Sequence, residues 1–203
     1  MPTVLVTAAR VERWVLNFNG RHGSTALAVS DGALTGAAAD GSSFAASLPF
    51  ARRYAGLPDA AGFAAAARDL PTDWGVLLVR KGGFAVARLH GAALVDHKIG
   101  QRHVQGRTKA GGQSQQRFAR RRDNQARQAY EAAADHAARI LGERALPVVT
   151  GGDHTAVEEV LADPRLRRVT VLGPWLAVPD PRRAVLDRAV VDASSVVVEV
   201  VNR

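Results

Sequence analysis

Three adjacent residues, Gly111, Gly112 and Gln113, stand directly before a segment dense in arginine, TKAGGQSQQRFARRRDNQ at 108–125. The two glycines permit positive φ and very close approach of another molecule to the backbone. They precede a helical pattern, and the first N–H groups of a helix favour an anion. Gln113 adds a backbone N–H and an uncharged amide. That amide does not titrate near neutral pH, so it is no general base; it donates, accepts and orders a water. The backbone N–H can stabilise an oxyanion or a leaving alkoxide. Such a loop suits a reaction whose base lies elsewhere, for example in an RNA. Gly111, Gly112 and Gln113 are the catalytic candidates. Ser114 could be a nucleophile, but no histidine or lysine partner is placed by motif, and its position fits the N-cap of the following helix.

Charge points to the partner. The chain of 203 residues carries 27 Lys and Arg against 19 Asp and Glu, a net +8. Residues 98–127 hold nine of the bases, namely Lys98, Arg102, Arg107, Lys109, Arg117, Arg120, Arg121, Arg122 and Arg127, and one acid, Asp123. The remaining 18 bases and 18 acids cancel, so the whole excess sits in one segment. A solvated basic loop is the plain reading of such a run; a single-sign block is also the footprint of a polyanion site, and these nine residues are the RNA-binding candidates.

Other groups are weaker. Asp96, His97 and His103 flank the loop, at a spacing that matches no metal-ligand motif. GGDHT at 151–155 could cradle a phosphate, or could be a strand-to-helix turn with Asp153 as N-cap. There is no cysteine, which excludes disulfides and thiolate-bound zinc. No metal and no cofactor is expected. No apolar run approaches the roughly 20 residues of a membrane span. The opening MPTVLVTAAR lacks the basic and apolar regions of a secretory signal, so the expectation is a soluble, cytoplasmic protein with no membrane partner.

The elements that must hold the loop are legible from periodicity and turn signals. ARVERWVLNFN at 9–19 spaces Val11, Trp14, Val15 and Phe18 as an amphipathic helix. Asp31-Gly32 and Asp40-Gly41 are hairpin signals, and PDAAGFAAAARDL is a helix before Pro71. Residues 1–71 are therefore expected to form a small N-terminal α+β subdomain. From Trp74, three antiparallel strands joined by glycine turns lead into the loop, about 100–113, and a long helix over 114–141. LPVVTGG, RRVTVLG and SVVVEVV read as strands, DHTAVEEVLAD and DPRRAVLDRAV as helices. This order predicts an α/β domain over 72–203, a mixed sheet with helices packed on it. On a wheel of the long helix, Ala126, Ala129, Tyr130, Ala133, Ala137, Ile140 and Leu141 share one face. Arg117, Arg120, Arg121, Asn124, Arg127 and Gln128 share the opposite one, while Arg122 falls on the apolar side. A helix of this length runs roughly 40 Å, an arm with a core-anchored tail and an arginine-coated tip.

GRTKAGGQSQQRFARRR resembles the catalytic loop of the eukaryotic and archaeal class I peptide release factors. There GGQS is followed by an R-F-A-R-x-R segment at the spacing of Arg117, Phe118, Ala119, Arg120 and Arg122. The resemblance covers about residues 74–203, the middle domain of those factors, and departs from it at Lys109-Ala110, where the decoding factors favour Gly-Arg. The whole chain, including RVERWVLNF, is similar to the actinobacterial branch of the Vms-like release factors, which are peptidyl-tRNA hydrolases. The resemblance implies a release-factor middle-domain, ribonuclease H-like architecture. It also implies GGQ-dependent hydrolysis of peptidyl-tRNA on the large ribosomal subunit, with ribosomal RNA and the tRNA CCA end as partners. No codon-reading domain is recognisable, so the expected role is rescue of stalled nascent chains rather than stop-codon termination. Two alternatives stay open: a non-catalytic ribosome- or RNA-binding module, and a nuclease trimming the tRNA 3′ end. Against the nuclease, WGVLLVRKGG carries none of the clustered carboxylates that two-metal sites need.

Overall fold

The computed structural model describes residues 2–101, 113–142 and 144–203, and over 113–126 the backbone only. The chain divides into two units. The first comprises Met1–Pro71, Leu172–Pro174 and Val190–Arg203; the second comprises Thr72–Val171 and Trp175–Ala189.

The first unit is a five-stranded antiparallel sheet with two helices. Strands β1 (Thr3–Val6), β2 (Thr25–Ser30), β3 (Ala33–Ala38), β4 (Ser43–Ser47) and β10 (Val196–Val201) lie in the order β1-β10-β4-β3-β2. Helices α1 (Val11–His22) and α2 (Ala60–Arg68) contribute to one core with this sheet. Asp31 and Gly32 turn the β2–β3 hairpin with φ of 53° and 80°, the two positive values that its tight turn demands. The expected amphipathic helix forms, with Val11, Val15 and Phe18 buried. Trp14, Phe18 and Phe44 pack as an aromatic trio with ring centroids 5.0 to 5.6 Å apart. Asp59 caps α2 by accepting from Gly62 N at 2.7 Å.

The second unit is built on β5 (Asp73–Arg80), β6 (Gly83–His90), β7 (Ala93–Gln101), β8 (Pro147–Gly152) and β9 (Thr170–Val171), in the order β7-β6-β5-β8-β9. The β5–β6–β7 meander is antiparallel, while β5–β8 and β8–β9 are parallel, so the sheet is mixed. The interior of β5 is buried on both faces, as its unbroken WGVLLV run requires. Helix α3 (Gln113–Leu141) and helix α4 (His154–Leu161) cover one face, joining Leu77, Val79, Phe84 and Val86 in a common core with Ala133, Ala137, Ile140, Leu141, Ala156, Val157 and Val160. Alanines dominate the buried face of α3, which lets its backbone come close. The sheet answers with Gly75, where an added Cβ would lie 2.6 Å from Leu141 Cδ2. Helix α5 (Arg183–Ala193) starts in the second unit and ends in the first.

Three elements differ from the sequence expectation. The terminal strand β10 pairs with β1 and β4 in the first unit's sheet, not with the sheet that carries the loop. Its burial alternates, with Glu199 exposed, and this suits an antiparallel sheet with one face in a core. RRVTVLG yields only the two-residue β9, because Gly173, at φ 85°, and Pro174 end the run. β5 begins one residue earlier than Trp74, so it does carry a carboxylate, Asp73. That group is tied to Arg88 at 3.7 Å, His90 at 3.5 Å and Arg144 at 3.5 Å. Among the described residues no helix is long and apolar enough to cross a membrane.

Candidate functional site

The loop is held between β7, which ends at Gln101, and α3, which starts at Gln113. Arg102, Arg107, Lys109, Gly111 and Gly112 lie outside the described residues, as does His103. Gln113 is the first residue of α3, so its backbone N–H is one of the four at the helix start that have no acceptor within the helix. Ser114 is the second helical residue and not the N-cap, because α3 begins one position earlier than the sequence pattern suggests. Arg117, Arg120, Arg121 and Arg122 follow within the same N-terminal half of the helix, with side chains outside the described ones. Lys98 and Arg127, the two ends of the basic segment, are both exposed.

The tail of α3 is anchored as its pattern requires. Ala129, Tyr130, Ala133, Ala137, Ile140 and Leu141 are buried, with Ala134 and Ala138 beside them. Arg127 and Gln128 are on the exposed side. Burial holds the Tyr130 hydroxyl above the ordinary phenol range, and the carboxylates of Asp153 and Glu159 push the same way, so it stays protonated at neutral pH.

Two contacts fix α3 to the sheet, one on β7 and one on β6. Arg139 Nη1 donates to Asp96 at 3.0 Å. The His136 ring lies on that of Phe84, centroids 5.6 Å apart and planes at 27°. Burial keeps the His136 imidazole below its ordinary pKa, and the cations of Lys98 and Arg139 add to this against Asp135, so the ring is neutral at neutral pH. His97 faces the other way: its Nε2 accepts from Arg183 Nη1 of α5 at 3.1 Å. The strand's alternation thus separates Asp96 from His97, and they form no joint site. Among the described residues no three of His, Cys, Asp and Glu gather as a metal-holding group.

The GGDHT stretch is a closed turn. Asp153 caps α4, accepting from Ala156 N at 3.3 Å. Gly152, at φ 108°, packs against the Val79 carbonyl and leaves no room for a Cβ. Sequence reading missed the stack of His154 on Trp175 in this turn, centroids 3.6 Å apart and planes at 12°. Nothing local links positions 21 apart; only the fold brings them together. It also missed the groove of about 430 Å³ where Arg139, Arg165, Arg167 and Arg168 meet Asp135. Arg165 there bridges Asp135 and Asp163, each at 2.7 Å, and Arg139 pairs with Asp96, so this is a salt-bridge network and not a single-sign surface.

A mixed sheet covered by α3 and α4, with a glycine-bearing basic segment joining its edge strand to a long anchored helix, defines an α/β domain of release-factor architecture. A sequence model of the Actinobacteria/chloroflexi VLRF1 release factor family matches residues 72–199, and the chain belongs to that family. The family assignment gives it a release-factor-like role, with the ribosome as partner. No protein of curated function matches the chain.

Proposed function

We propose that this protein hydrolyses the ester of peptidyl-tRNA in the peptidyl transferase centre of the large ribosomal subunit. It thereby frees nascent chains from stalled ribosomes without reading a codon. The observation that carries the reading is that Gln113, last residue of the GGQ sequence, is also the first residue of α3 in a release-factor-family chain. A backbone N–H at that position has no helical acceptor and carries the positive end of the helix dipole. It is suited to the oxyanion or to the departing ribose 3′ oxygen. Water attacks the ester carbonyl carbon, the bond from that carbon to the 3′ oxygen breaks, one of the water's protons passes to that oxygen, and the other is released to solvent as the carboxylate forms. The products are a free peptide carboxylate and a tRNA ending in an intact 3′ hydroxyl. Gly111 and Gly112 admit the close approach, and the Gln113 amide orders the water. No side chain of the GGQ sequence itself is a base near neutral pH, and in this reading the RNA supplies proton acceptance. Lys98, Arg102, Arg107, Lys109, Arg117, Arg120, Arg121, Arg122 and Arg127 hold ribosomal RNA and the CCA end.

The test is incubation with large subunits bearing labelled peptidyl-tRNA, resolving free peptide, full-length tRNA and shortened tRNA. Free peptide with full-length tRNA supports the hydrolase. Peptide attached to a few 3′ nucleotides, with shortened tRNA, identifies the nuclease. Binding without any cleavage identifies the anchoring module.

A further inference from the structure

One cavity among the described residues stands beside the segment on which the release-factor reading rests. Between β7 and α3 lies a cavity of about 270 Å³, lined among others by Phe84, Lys98, Gly100, Gln101, Ala132 and His136. β7 is the edge strand of its sheet, so among the described residues no further strand closes the cavity on that side. Gln101 is the last residue of β7, so the cavity sits at the root of the segment that leads to the GGQ sequence. Its floor is aromatic. Gly100 pairs with Phe84 across the ladder, and any side chain at 100 would overlap the Phe84 ring, 2.6 Å from Cζ. The neutral His136 ring lies over the same phenyl and is only partly buried. Around this floor stand an exposed ammonium, Lys98, and an exposed amide, Gln101.

We propose that this cavity binds one unpaired ribonucleotide, its base against His136 and Phe84, its edge to Gln101 and its phosphate on Lys98. This assignment rests on the release-factor reading, which supplies RNA as the partner. An ammonium alone would take any phosphate, and an aromatic floor alone any apolar group. Together with an amide that both donates and accepts, they select a nucleotide, and single-stranded RNA is read by this combination of stacking and edge contacts. The nucleotide comes from the tRNA 3′ end or from ribosomal RNA, which share this chemistry.

The test uses the full chain with carbon-13-labelled histidine, following the His136 ring resonances, assigned by their loss in His136→Gln. Titration with ribonucleoside 5′-monophosphates should shift them saturably. Lys98→Gln should weaken that binding about tenfold, as expected for loss of one phosphate contact. Ala132→Phe, on the exposed side of α3, fills the cavity and should abolish the shift. An equal shift with inorganic phosphate alone, displacement by an aspartate-rich peptide but not by nucleotides, or no saturable shift with any monophosphate overturns the proposal. If Ala132→Phe fails to fold, the Lys98→Gln titration decides. The source follows from Ala132→Phe binding to subunits. Weaker binding to vacant subunits assigns ribosomal RNA; weaker binding only to subunits loaded with peptidyl-tRNA assigns the tRNA end. Should wild type release no peptide, the proposed hydrolysis falls while the nucleotide titration still decides this inference.

Discussion

The role of the Gln113 backbone N–H can be separated from that of its side chain by two substitutions at one position. Gln113→Pro deletes the N–H. Proline is tolerated at the first position of a helix, where that N–H has no helical acceptor, whereas inside a helix it costs about 3 kcal/mol. Gln113 occupies that first position of α3, so Gln113→Pro leaves every helical hydrogen bond in place. The restriction that proline imposes on its predecessor falls on residue 112, before the helix begins. Stability should therefore change by less than about 1 kcal/mol. The rate should change far more, because loss of one oxyanion donor costs on the order of 10²–10³, or about 3–4 kcal/mol. Gln113→Ala keeps the N–H and removes only an uncharged amide, worth about 0.5–1.5 kcal/mol, or up to about tenfold. The measurement is single-turnover peptide release from large subunits saturated with each variant, with helix content and melting temperature as controls. Gln113→Pro should be at least about tenfold slower than Gln113→Ala at equal binding, by the difference between those two costs. Equal rates for the two variants would refute a catalytic backbone N–H and return the chemistry to the side chain.

Replacing Arg117, Arg120 and Arg121 by alanine should weaken binding to large subunits and flatten its dependence on log salt by up to about 2–3, with thermal unfolding unchanged. An unchanged salt slope would show that these arginines meet no phosphate. Gly100→Ala forces the buried Phe84 ring aside and should cost about 1–3 kcal/mol by chemical denaturation. Adding Phe84→Leu should relieve part of that cost, whereas strict additivity of the two changes would deny the contact. Hydrogen bonds from Arg165 hold the Asp163 carboxyl down at about 2, below its unperturbed 3.8. A carboxylate depressed by folding contributes stability that is full above the unfolded value and lost as pH falls through the folded one. The melting-temperature gap between wild type and Arg165→Gln should thus be constant near neutral pH and close between pH 3.8 and about 2. A gap that persists at the acid end would assign it to packing.

The sequence is legible where the signal is local. Asp31-Gly32 predicts a hairpin because both turn residues need positive φ, and both have it. The alanine-rich face of α3 is legible because burial repeats at the helical period, from Ala129 through Leu141. The partner of β10 is not, since SVVVEVV states that a strand exists but not which edge it meets; only its alternating burial, seen in place, distinguishes the two sheets. For the site, glycine pair, glutamine and charge are contiguous, so the candidates can be named from the sequence alone. The groups that brace them cannot. Asp96 and Arg139 are 43 residues apart, and meet only because β7 and α3 are set side by side by register and packing. The Phe84–His136 stack is hidden for the same reason, and with it the cavity at the loop's root.

Burial also divides α3 into two working parts. Among its described side chains the first buried one is Ala129, and from there to Leu141 the helix is committed to the sheet. Those 13 residues span about 20 Å, enough for three to four turns of anchored helix. Five of the eight buried side chains in this stretch are alanine, each contributing little apolar area, and the larger Leu141 seats its Cδ2 against Gly75, where no Cβ would fit. The catalytic candidate Gln113 lies in α3 before Ala129, together with the basic candidates Arg117, Arg120, Arg121, Arg122 and Arg127. Substitutions from Ala133 to Leu141 should therefore act through stability, and substitutions from Gln113 to Arg122 through binding and rate. One arrangement couples the two. His136 stands in the anchored half yet meets Lys98, the first residue of the basic segment, across the cavity they both line. A nucleotide seated there, as proposed, would touch the anchored helix and the root of the GGQ segment at once, and would serve as a fixed point from which the position of that segment on RNA is set.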